Sequence, residues 1–422
     1  MDLLQPVRGT ADLLPEDKAR HNYVVSVAQD VASRSGFQDM ATPVFEFTQV
    51  FSRPLGASSD VVAKETYSFE DRGGTGLTLR PEGTASAMRA VISNGLTQSL
   101  PLRWFYAGPM FRYERPQKGR MRQFHQIGCE LIGPTSPLAD AEIISVGAAI
   151  LSELRVLPHT KLHLNSLGDQ KSRLAYRQAL IDYLTQYRSS LSEDSQRRLD
   201  SNPLRILDSK SEGDQAILTE APRLPSYLSN EAKAHFDQVS ACLDKAAIEF
   251  VLDPLLVRGL DYYSHTAFEF ITNALGAQGT VLGGGRYDGL SETLGGPPLP
   301  AVGFAAGIER LALLGDDHAA AVPDIGLIAA DIDAETEAFG LAVSLRQAGL
   351  SCVMLINGNM GKKMRAASRL GCASVVIAGS DELRRGAVSV RSMADGEQFE
   401  VEISKLTTWL SERLSETSQE SD

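Results

Sequence analysis

The sequence predicts an α+β protein with a helical insertion and a small α/β domain at its C-terminus. Two stretches, 67–80 and 107–133, each contain the alternation typical of two strands joined by a turn, and hairpin strands are antiparallel. Between 168 and 253 the chain is polar and has helical spacing. Beyond 324, short apolar strands alternate with helices, which is typical of a small α/β domain with a partly parallel sheet.

Composition agrees with a globular protein of several domains. The chain has 422 residues, enough for two or three domains, and 43% of them are hydrophobic and 22% charged. The formal net charge of −12 argues against nonspecific binding of nucleic acid over the whole surface. Such a charge still permits a local basic track that binds RNA.

The cysteines and the absence of long apolar runs predict a cytoplasmic location. Cys129, Cys242, Cys352 and Cys372 are scattered, with no CxxC pair, and are expected to be free thiols. The N-terminal segment has charged residues near its start and no apolar core typical of a signal peptide. No run approaches about 18 apolar residues, so we expect no membrane span.

The N-terminal third predicts a helix, an extended segment, a hairpin and a second helix. Apolar residues fall at helical spacing from Asp17 to Gly36, and Gly36 suits a helix stop. Residues 37–47 are predicted to be extended, with a break at Pro43. The hairpin at 67–80 leads into a helix that begins near Pro81 and Glu82.

The stretch 107–133 combines two predicted strands, at 110–114 and 123–132, with a basic loop closed by Pro116 and Gly119. Its cations are Arg112, Arg115, Lys118, Arg120 and Arg122. So many cations on one hairpin indicate an anionic partner, and the planar guanidinium of arginine matches a phosphate. From these residues alone, a solvated basic hairpin is an equally good interpretation.

The remaining chain predicts a helix at 139–154, a strand at 160–167 and the helical insertion. A polar, Ala-rich linker at 315–323 marks a domain boundary. The predicted elements beyond it are strands at 325–331, 351–356 and 373–378, helices at 335–349, 362–371 and 404–414, and a hairpin at 387–403. Lys362, Lys363, Arg365 and Arg369 lie on one of these helices and are either an RNA-backbone contact or a solvated face. The polar tail from 416 to 422 is expected to be disordered.

Four stretches carry a resemblance to a known family. They are FRYERPQKGRMRQFHQIGCELIG at 111–133, LVRGLDYY at 256–263 with TAFE at 266–269, GGGRYDG at 283–289, and GFAAGIER at 303–310. The first and last resemble motifs 2 and 3 of class II aminoacyl-tRNA synthetases. The middle two resemble the signatures of the histidyl-tRNA synthetase family in its bacterial form. In this order and spacing they are highly specific, and the resemblance covers nearly the whole chain.

The resemblance implies the class II synthetase fold, a catalytic domain built on an antiparallel sheet. Its implied domains are a catalytic core at 1–167 and 254–318, the helical insertion at 168–253, and an anticodon-binding α/β domain at 324–415. The implied activity is histidine–tRNA ligation: L-histidine reacts with ATP to give histidyl-adenylate and pyrophosphate, and histidine then passes to the 3′ end of tRNA(His). Mg²⁺ would accompany ATP as an ion of the substrate, with no metal held by dedicated protein ligands. The segment ATPVFEF around Pro43 resembles motif 1, which implies a homodimer.

The resemblance also assigns roles to individual site residues. The implied histidine-binding residues are Glu82, Thr84, Gln126, Glu130, Arg258, Tyr262, Tyr263 and Tyr287. The implied ATP-binding residues are Arg112, Glu114, Arg120, Phe124 and Arg310. Arg112 and Arg258 are the implied catalytic residues, because each would place positive charge at the α-phosphate. Gln117 and Lys118 are implied to contact the acceptor end of the tRNA.

For three of these residues, a purely structural role is the alternative to the implied binding role. Glu82 can cap the helix that follows it. Phe124 can be a core residue. Arg258 lies in an apolar run, so it is either in a structural ion pair or directed into a site, because an unpaired buried arginine is costly.

Two other function classes are alternatives to a synthetase. A non-catalytic, synthetase-like regulatory subunit of ATP phosphoribosyltransferase usually lacks the C-terminal domain and has degraded signatures. A pure RNA-binding module with a vestigial site would not need phosphate-binding arginines. Arg112, Arg258, Arg310 and the C-terminal α/β pattern are all present in this chain and argue against both alternatives.

Overall fold

The computed structural model describes residues 3–55, 65–116, 120–257, 262–275, 279–316 and 322–419. Contacts divide the chain into two compact units, Met1–Ala319 and Ala320–Asp422. In the described ranges, no helix is both long and apolar enough to cross a membrane. All four cysteines are free thiols, as the sequence predicts.

The described residues form α-helices and β-strands that are numbered in chain order. The helices are α1 (Pro15–Arg34), α2 (Gln49–Leu55), α3 (Thr84–Ser93), α4 (Pro137–Glu153), α5 (Gln170–Thr185), α6 (Glu193–Ser201), α7 (Glu212–Leu218), α8 (Asn230–Lys245), α9 (Leu290–Thr293), α10 (Ile308–Leu314), α11 (Glu335–Gln347), α12 (Met360–Arg369), α13 (Ser380–Arg384) and α14 (Leu406–Gln419). The strands are β1 (Gln38–Asp39), β2 (Phe45–Phe47), β3 (Tyr67–Glu70), β4 (Gly76–Leu79), β5 (Leu102–Phe111), β6 (Gln123–Ile132), β7 (Lys161–Ser166), β8 (Phe250–Leu252), β9 (Ser264–Ile271), β10 (Thr280–Arg286), β11 (Ala301–Gly307), β12 (Ile325–Ala329), β13 (Cys352–Met354), β14 (Ser374–Ala378), β15 (Ala387–Ser392) and β16 (Gln398–Glu402).

A large, mainly antiparallel sheet is the centre of the first unit. Among the described residues its strand order is β1-β5-β6-β11-β10-β9-β7-β8. The five inner pairings are antiparallel, whereas β1 and β8 at the two edges pair parallel with their neighbours. The antiparallel sheet predicted for the catalytic domain is therefore confirmed.

Helices α1 and α4 cover this sheet and build its main core. Helix α1 begins with Pro15 followed by two acidic residues, which suit the positive end of the helix dipole. It ends at Arg34, shortly before Gly36, whose φ of +79° favours glycine. Its buried face, with Val24, Ala28 and Val31, packs with apolar residues of α4 and of the central strands. This core fixes the sheet that holds the site.

The predicted strand at 110–114 is wrong beyond Phe111. Strand β5 ends there, and β6 pairs with it from Phe111↔Gln123 to Leu102↔Ile132. After the strand, the amide of Arg112 donates to the carbonyl of Arg122 at 2.8 Å and that of Tyr113 donates to Glu65 at 2.6 Å. The polar residues after Phe111 therefore leave the ladder for contacts across the loop.

A three-stranded antiparallel sheet, β2-β4-β3, precedes α3. Its β3–β4 hairpin confirms the predicted hairpin at 67–80, with Gly74 at φ +79° in the turn. The predicted helix near Pro81 begins at Thr84.

The predicted insertion is helical, but its last part belongs to the main sheet. Helices α5, α6 and α7 share a separate small core that includes Tyr176, Leu180 and Leu199. Helix α8 instead packs on α4, and β8 pairs with β7. The outer face of α8 is polar, and for this reason its composition resembles that of the insertion.

The second unit is the predicted α/β domain. Its described sheet has the order β13-β12-β14-β15-β16, in which the first three strands are parallel and the last two antiparallel. The disordered tail predicted from 416 is wrong for its first residues, because α14 continues to Gln419. No proline or glycine interrupts that segment. Residues 420–422 lie outside the described part.

Candidate active site

One face of strand β6 carries much of the predicted site. Because side chains alternate along a strand, Phe124, Gln126, Gly128 and Glu130 lie on the same face. Gln126 and Glu130 are separated by about 13 Å along the strand. Gly128 lies between them, and a Cβ there would come within 2.3 Å of the Tyr106 ring. This face therefore joins an implied ATP-binding residue, Phe124, at one end to an implied histidine-binding residue, Glu130, at the other.

Glu130 is a fully buried carboxylate held by hydroxyl groups. It accepts hydrogen bonds from Thr84 Oγ1 at 2.7 Å, from Tyr106 Oη at 3.2 Å, and from Tyr287 Oη. Its side chain is completely buried, and burial raises the pKa of this carboxyl group to about 8 despite these hydrogen bonds. Such a group can exchange a proton with an imidazole near neutral pH.

Glu82 and Thr84 lie at the start of α3, next to the Glu130 carboxylate, to which the Thr84 hydroxyl donates. Glu82 accepts from the amides of Thr84 and Ala85, at 2.5 and 2.9 Å, so the capping role foreseen as an alternative is present. Burial raises the pKa of Glu82, while these hydrogen bonds and the charge of Arg112 lower it. Capping does not preclude binding an ammonium group, because a carboxylate can accept several hydrogen bonds.

Three predicted tyrosines form one buried cluster. The ring centroids of Tyr262 and Tyr263 are 4.8 Å apart, and Tyr287 lies 5.8 Å from the first and 6.4 Å from the second. The hydroxyl of Tyr262 and the side-chain oxygen of Gln126 are buried and have no hydrogen-bond partner within the part of the chain that the structure describes. Buried polar atoms are normally satisfied, so these two suit a polar ligand.

The run Gly283–Gly285 belongs to strand β10, in contrast to the flexible loop that such a run commonly indicates. A Cβ at Gly284 would lie 2.1 Å from the Gly303 carbonyl oxygen, and one at Gly285 would lie 2.4 Å from that of Thr266. A Cβ at Gly303 would lie 1.8 Å from Glu130 Oε2. These glycines therefore let four strands, β6, β11, β10 and β9, pack closely beneath the site.

Three arginines converge beyond the Gln126 end of β6. Burial lowers the pKa of Arg310, and the nearby charges of Arg120 and Arg112 lower it further. Glu114 lies 2.5 Å from Arg120 Nε and offsets part of this repulsion. Like charges at such proximity indicate a site for a multiply charged anion.

Arg112 also contacts Phe124, another of the implied ATP-binding residues. Its Nε donates to the Pro81 carbonyl at 2.9 Å, and its guanidinium carbon lies 5.3 Å from the Phe124 ring centroid. Phe124 is only partly buried, which leaves part of its surface open to a ligand. Arg310 is anchored to Thr280 by a hydrogen bond to its carbonyl at 2.5 Å.

Three predicted site residues have no structural assignment. Arg258, Gln117 and Lys118 lie outside the described residues. Their roles remain predictions from the sequence.

Sequence reasoning missed Tyr106. It lies on β5 opposite Gly128 and contributes a hydroxyl to Glu130. A Cβ at Gly83 would also lie 2.3 Å from its ring. Gly83 and Gly128, which leave room for the Tyr106 ring, were the available signal in the sequence. Their proximity to Tyr106 depends on strand pairing that the local sequence does not show.

Sequence reasoning also missed a buried ion pair that precedes Tyr287 in the chain. Arg286 is 1% exposed, and its Nε lies 3.0 Å from the carboxylate of Asp140, which is 0% exposed. Arg286 also donates to the carbonyls of Pro134 and Ser136. The pair joins β10 to α4 and holds the backbone next to Tyr287.

Comparison with known proteins decides the family. The family model described as histidyl-tRNA synthetase matches residues 9–311, and the model of an anticodon binding domain matches residues 324–413. The chain belongs to the histidyl-tRNA synthetase family. The predicted family, the class II fold with its C-terminal α/β domain, and the enzyme class are confirmed.

Relatives and solved structures of this family match almost from end to end. A histidine–tRNA ligase of Rhodospirillum rubrum is 53% identical over 98% of this chain and 100% of its own length. One from Thermosynechococcus vestitus is 48% identical over 94% of this chain and 93% of its own. The apo histidyl-tRNA synthetase of Staphylococcus aureus has a TM-score of 0.82 and 34% identity, covering 97% of this chain and 100% of that one.

These full-length matches favour histidine–tRNA ligation over the regulatory-subunit alternative. A solved structure described as an ATP phosphoribosyltransferase regulatory subunit/histidyl-tRNA synthetase, from Bacillus halodurans, is 23% identical with a TM-score of 0.65. That match shows a shared fold alone. The histidyl-tRNA synthetase family uses ATP and tRNA, as predicted.

Proposed function

We propose that the Glu130 pocket binds the side chain of L-histidine and that the three arginines bind ATP. One observation carries this assignment. The buried carboxylate of Glu130, which accepts hydrogen bonds from three hydroxyl groups, lies on strand β6, and the arginine cluster lies near the other end of the same strand. In the first reaction, the carboxylate of histidine attacks the α-phosphorus of ATP. The carboxylate–phosphate bond forms, the bond to pyrophosphate breaks, and histidyl-adenylate results.

Recognition of histidine rests on fixed polar partners. Glu130 pairs with one imidazole nitrogen, and the hydroxyls of Thr84, Tyr106 and Tyr287 hold its carboxylate in place. Tyr263 receives the other ring nitrogen, with Tyr262 and Tyr287 as walls. A site built from buried polar groups rejects an apolar ring because those groups would then lose their partners.

The amino and carboxylate groups of histidine occupy the region between Glu130 and the arginines. Glu82 and Thr84 bind the α-ammonium group, for which a carboxylate and a hydroxyl are suitable acceptors. The buried oxygen of Gln126 provides a further acceptor. The reacting carboxylate is thereby directed toward the arginines.

The arginines stabilise the charge that moves from the attacking carboxylate to the departing pyrophosphate. Arg112 holds the α-phosphate, and Arg120 and Arg310 hold the outer phosphates. Phe124 stacks on adenine, and Glu114 accepts from its amino group. Arg258 adds charge at the α-phosphate, an assignment that rests on the sequence alone.

Mg²⁺ is expected on the outer phosphates of ATP. It prefers oxygen ligands, and the phosphate oxygens of ATP supply them. When bound, the ion neutralises part of the phosphate charge. The ion thus arrives as part of the substrate, without a dedicated protein ligand.

We further propose that tRNA(His) contacts both units. Lys362, Arg365 and Arg369 are exposed on α12 at spacings of three and four residues, so they share one face of the helix. Lys363 does not belong to this set, because its amine donates to the Ala329 carbonyl at 3.0 Å. Gln117 and Lys118 are proposed to meet the acceptor end. Since its tRNA substrate is used in translation, we place the enzyme in the cytoplasm.

Single-turnover formation of histidyl-adenylate tests the assignment of the arginines. Arg310→Lys keeps the charge but loses the planar guanidinium, so the rate is expected to fall about ten- to hundredfold. Arg197→Lys, at an arginine whose side chain is 74% exposed on α6, is the matched control and should react at the normal rate. Normal adenylate formation by Arg310→Lys would remove Arg310 from the proposed phosphate site.

A further inference from the structure

Three side chains from different elements meet beside the proposed ATP site. His21 comes from α1, His125 from β6 and Glu309 from α10. One potential metal-ligand atom from each residue lies within 4.8 Å of the other two. None of the three has a role in the proposed histidine or ATP contacts.

His21 is the least expected member of this cluster. It is only 6% exposed, and neither Nδ1 nor Nε2 has a hydrogen-bond partner among the described residues. Its ring lies edge-on to that of His125, with centroids 4.6 Å apart. A buried imidazole with both nitrogens unsatisfied is costly, and this cost indicates a missing partner within the cluster.

Glu309 and His125 are already arranged as neighbouring ligands. Glu309 Oε1 lies 2.9 Å from His125 Nδ1 and also accepts from the His125 amide at 2.9 Å. Two ligands of a tetrahedral ion with bonds of about 2.0–2.1 Å are separated by roughly 3.3 Å. To admit an ion, this pair must open slightly, with loss of the proton between the two groups, and any separation in the cluster wider than about 3.3 Å must contract.

We propose that His21, His125 and Glu309 hold one divalent transition-metal ion of the zinc class. Two imidazoles and a carboxylate are typical ligands for such an ion, and water would complete the tetrahedron. Mg²⁺ prefers oxygen ligands and is not the expected occupant. The ion would fix α1 to β6 and α10 next to Phe124, which makes it a structural metal distinct from the Mg²⁺ that travels with ATP.

The test is a metal titration of the full-length, chelator-treated protein without ATP. Co²⁺ is followed through its visible absorption and Zn²⁺ by calorimetry, and one ion per chain is expected. His21→Phe retains an aromatic ring against His125 but removes both nitrogens, so affinity should fall by at least about tenfold. His159→Ala, at an exposed histidine, is the control and should bind like the wild type.

Thermal denaturation gives a second readout. Zn²⁺ should raise the melting temperature of the wild type and of His159→Ala but not that of His21→Phe. Equal Zn²⁺ affinity in His21→Phe and the wild type would overturn the proposal, as would the absence of tight Zn²⁺ binding by the wild type. If circular dichroism shows that His21→Phe does not fold, Glu309→Gln takes its place with the same expected loss of affinity.

Discussion

At the residue scale, Glu130 illustrates a conflict between stability and function. Its carboxylate is fully buried, and the pKa of about 8 reflects the cost of ionising it there. The donors from Thr84, Tyr106 and Tyr287 reduce that cost without removing it. An imidazole bound in the pocket would provide the missing partner, so part of the fold's stability is given up for recognition.

Replacement of Glu130 by glutamine tests whether ionisation of the buried carboxylate reduces the stability of the fold. Because the folded pKa exceeds the ordinary value of 4.5, the free enzyme should lose stability as pH rises from about 4.5 through about 8. Glutamine does not titrate, so the melting temperature of Glu130→Gln relative to the wild type should increase between pH 5 and pH 9. A difference that stays constant with pH would contradict the raised pKa.

The same variant should activate histidine poorly. Loss of one charge-assisted hydrogen bond is worth about 1.5–3 kcal/mol, so activation should fall about ten- to more than hundredfold.

Sequence could predict the identity of these residues but not all of their contacts. Thr84 and Glu130 follow from family motifs, yet their hydrogen bond joins residues that are 46 positions apart. Tyr106 lies in a strand with an apolar character, where an aromatic residue is normally a core residue. Only the pairing of β5 with β6 shows that its hydroxyl meets Glu130.

At the element scale, the junction between β10 and α4 positions the histidine pocket. Arg286 and Asp140 form a buried ion pair, and the next residue, Tyr287, donates to Glu130. Burial acts to raise the pKa of Asp140, but the nearby His235 ring and the hydrogen-bonded Arg286 guanidinium hold it below its usual value. Breaking one partner of such a pair leaves a buried charge unpaired.

Arg286→Met should therefore reduce both stability and histidine binding. A loss of about 3–5 kcal/mol in the free energy of unfolding is expected, together with a raised KM for histidine. Arg188→Met breaks an exposed Arg–Asp pair on the insertion and is the control, with little change expected in either measurement. Denaturant unfolding and steady-state kinetics check this. If both variants behave alike, the buried pair does not position Tyr287.

Elements with strong local signals were predicted well, and elements set by long-range packing were not. The β3–β4 hairpin has alternation and a glycine turn within one short stretch. The Gly283–Gly285 run lacks side chains that would indicate a strand, and its conformation depends on neighbouring backbones. Strand β8 is only three residues long and becomes a strand by pairing with β7.

At the scale of the whole molecule, the two units have separate hydrophobic cores. One includes Val24, Phe268 and Leu311, and the other includes Ile325, Leu345 and Leu410. Their separate cores predict that chemistry and tRNA recognition can be uncoupled. The domain boundary inferred from the Ala-rich linker agrees with the division by contacts, although the functional division remains a prediction.

A chain ending at Val322 should still form histidyl-adenylate but charge tRNA poorly. The proposed histidine and ATP contacts all lie before this residue, whereas the exposed cations of α12 lie after it. Single-turnover adenylate formation and tRNA charging are measured on the same preparation. Charging at the full-length rate would contradict the assignment of the second unit to tRNA.

A homodimer is expected from an apolar surface on the small sheet. Phe45 and Phe47 on β2 are 49% and 63% exposed, and Phe69 on β3 is 47% exposed. Exposed apolar groups of this kind indicate a protein interface. Light scattering should give twice the chain mass of 45.6 kDa. Phe47→Lys should shift the particle toward the monomer, and a wild type that stays monomeric at micromolar concentration would refute the dimer.

Amino-acid-dependent exchange between ATP and pyrophosphate tests the central claim most directly. The assay reports reversible adenylate formation and needs no tRNA, so it isolates the Glu130 pocket and the arginine cluster. With each of the standard amino acids supplied separately, histidine should support exchange and the others should not. No exchange with histidine, or equal exchange with phenylalanine, would contradict the proposed site.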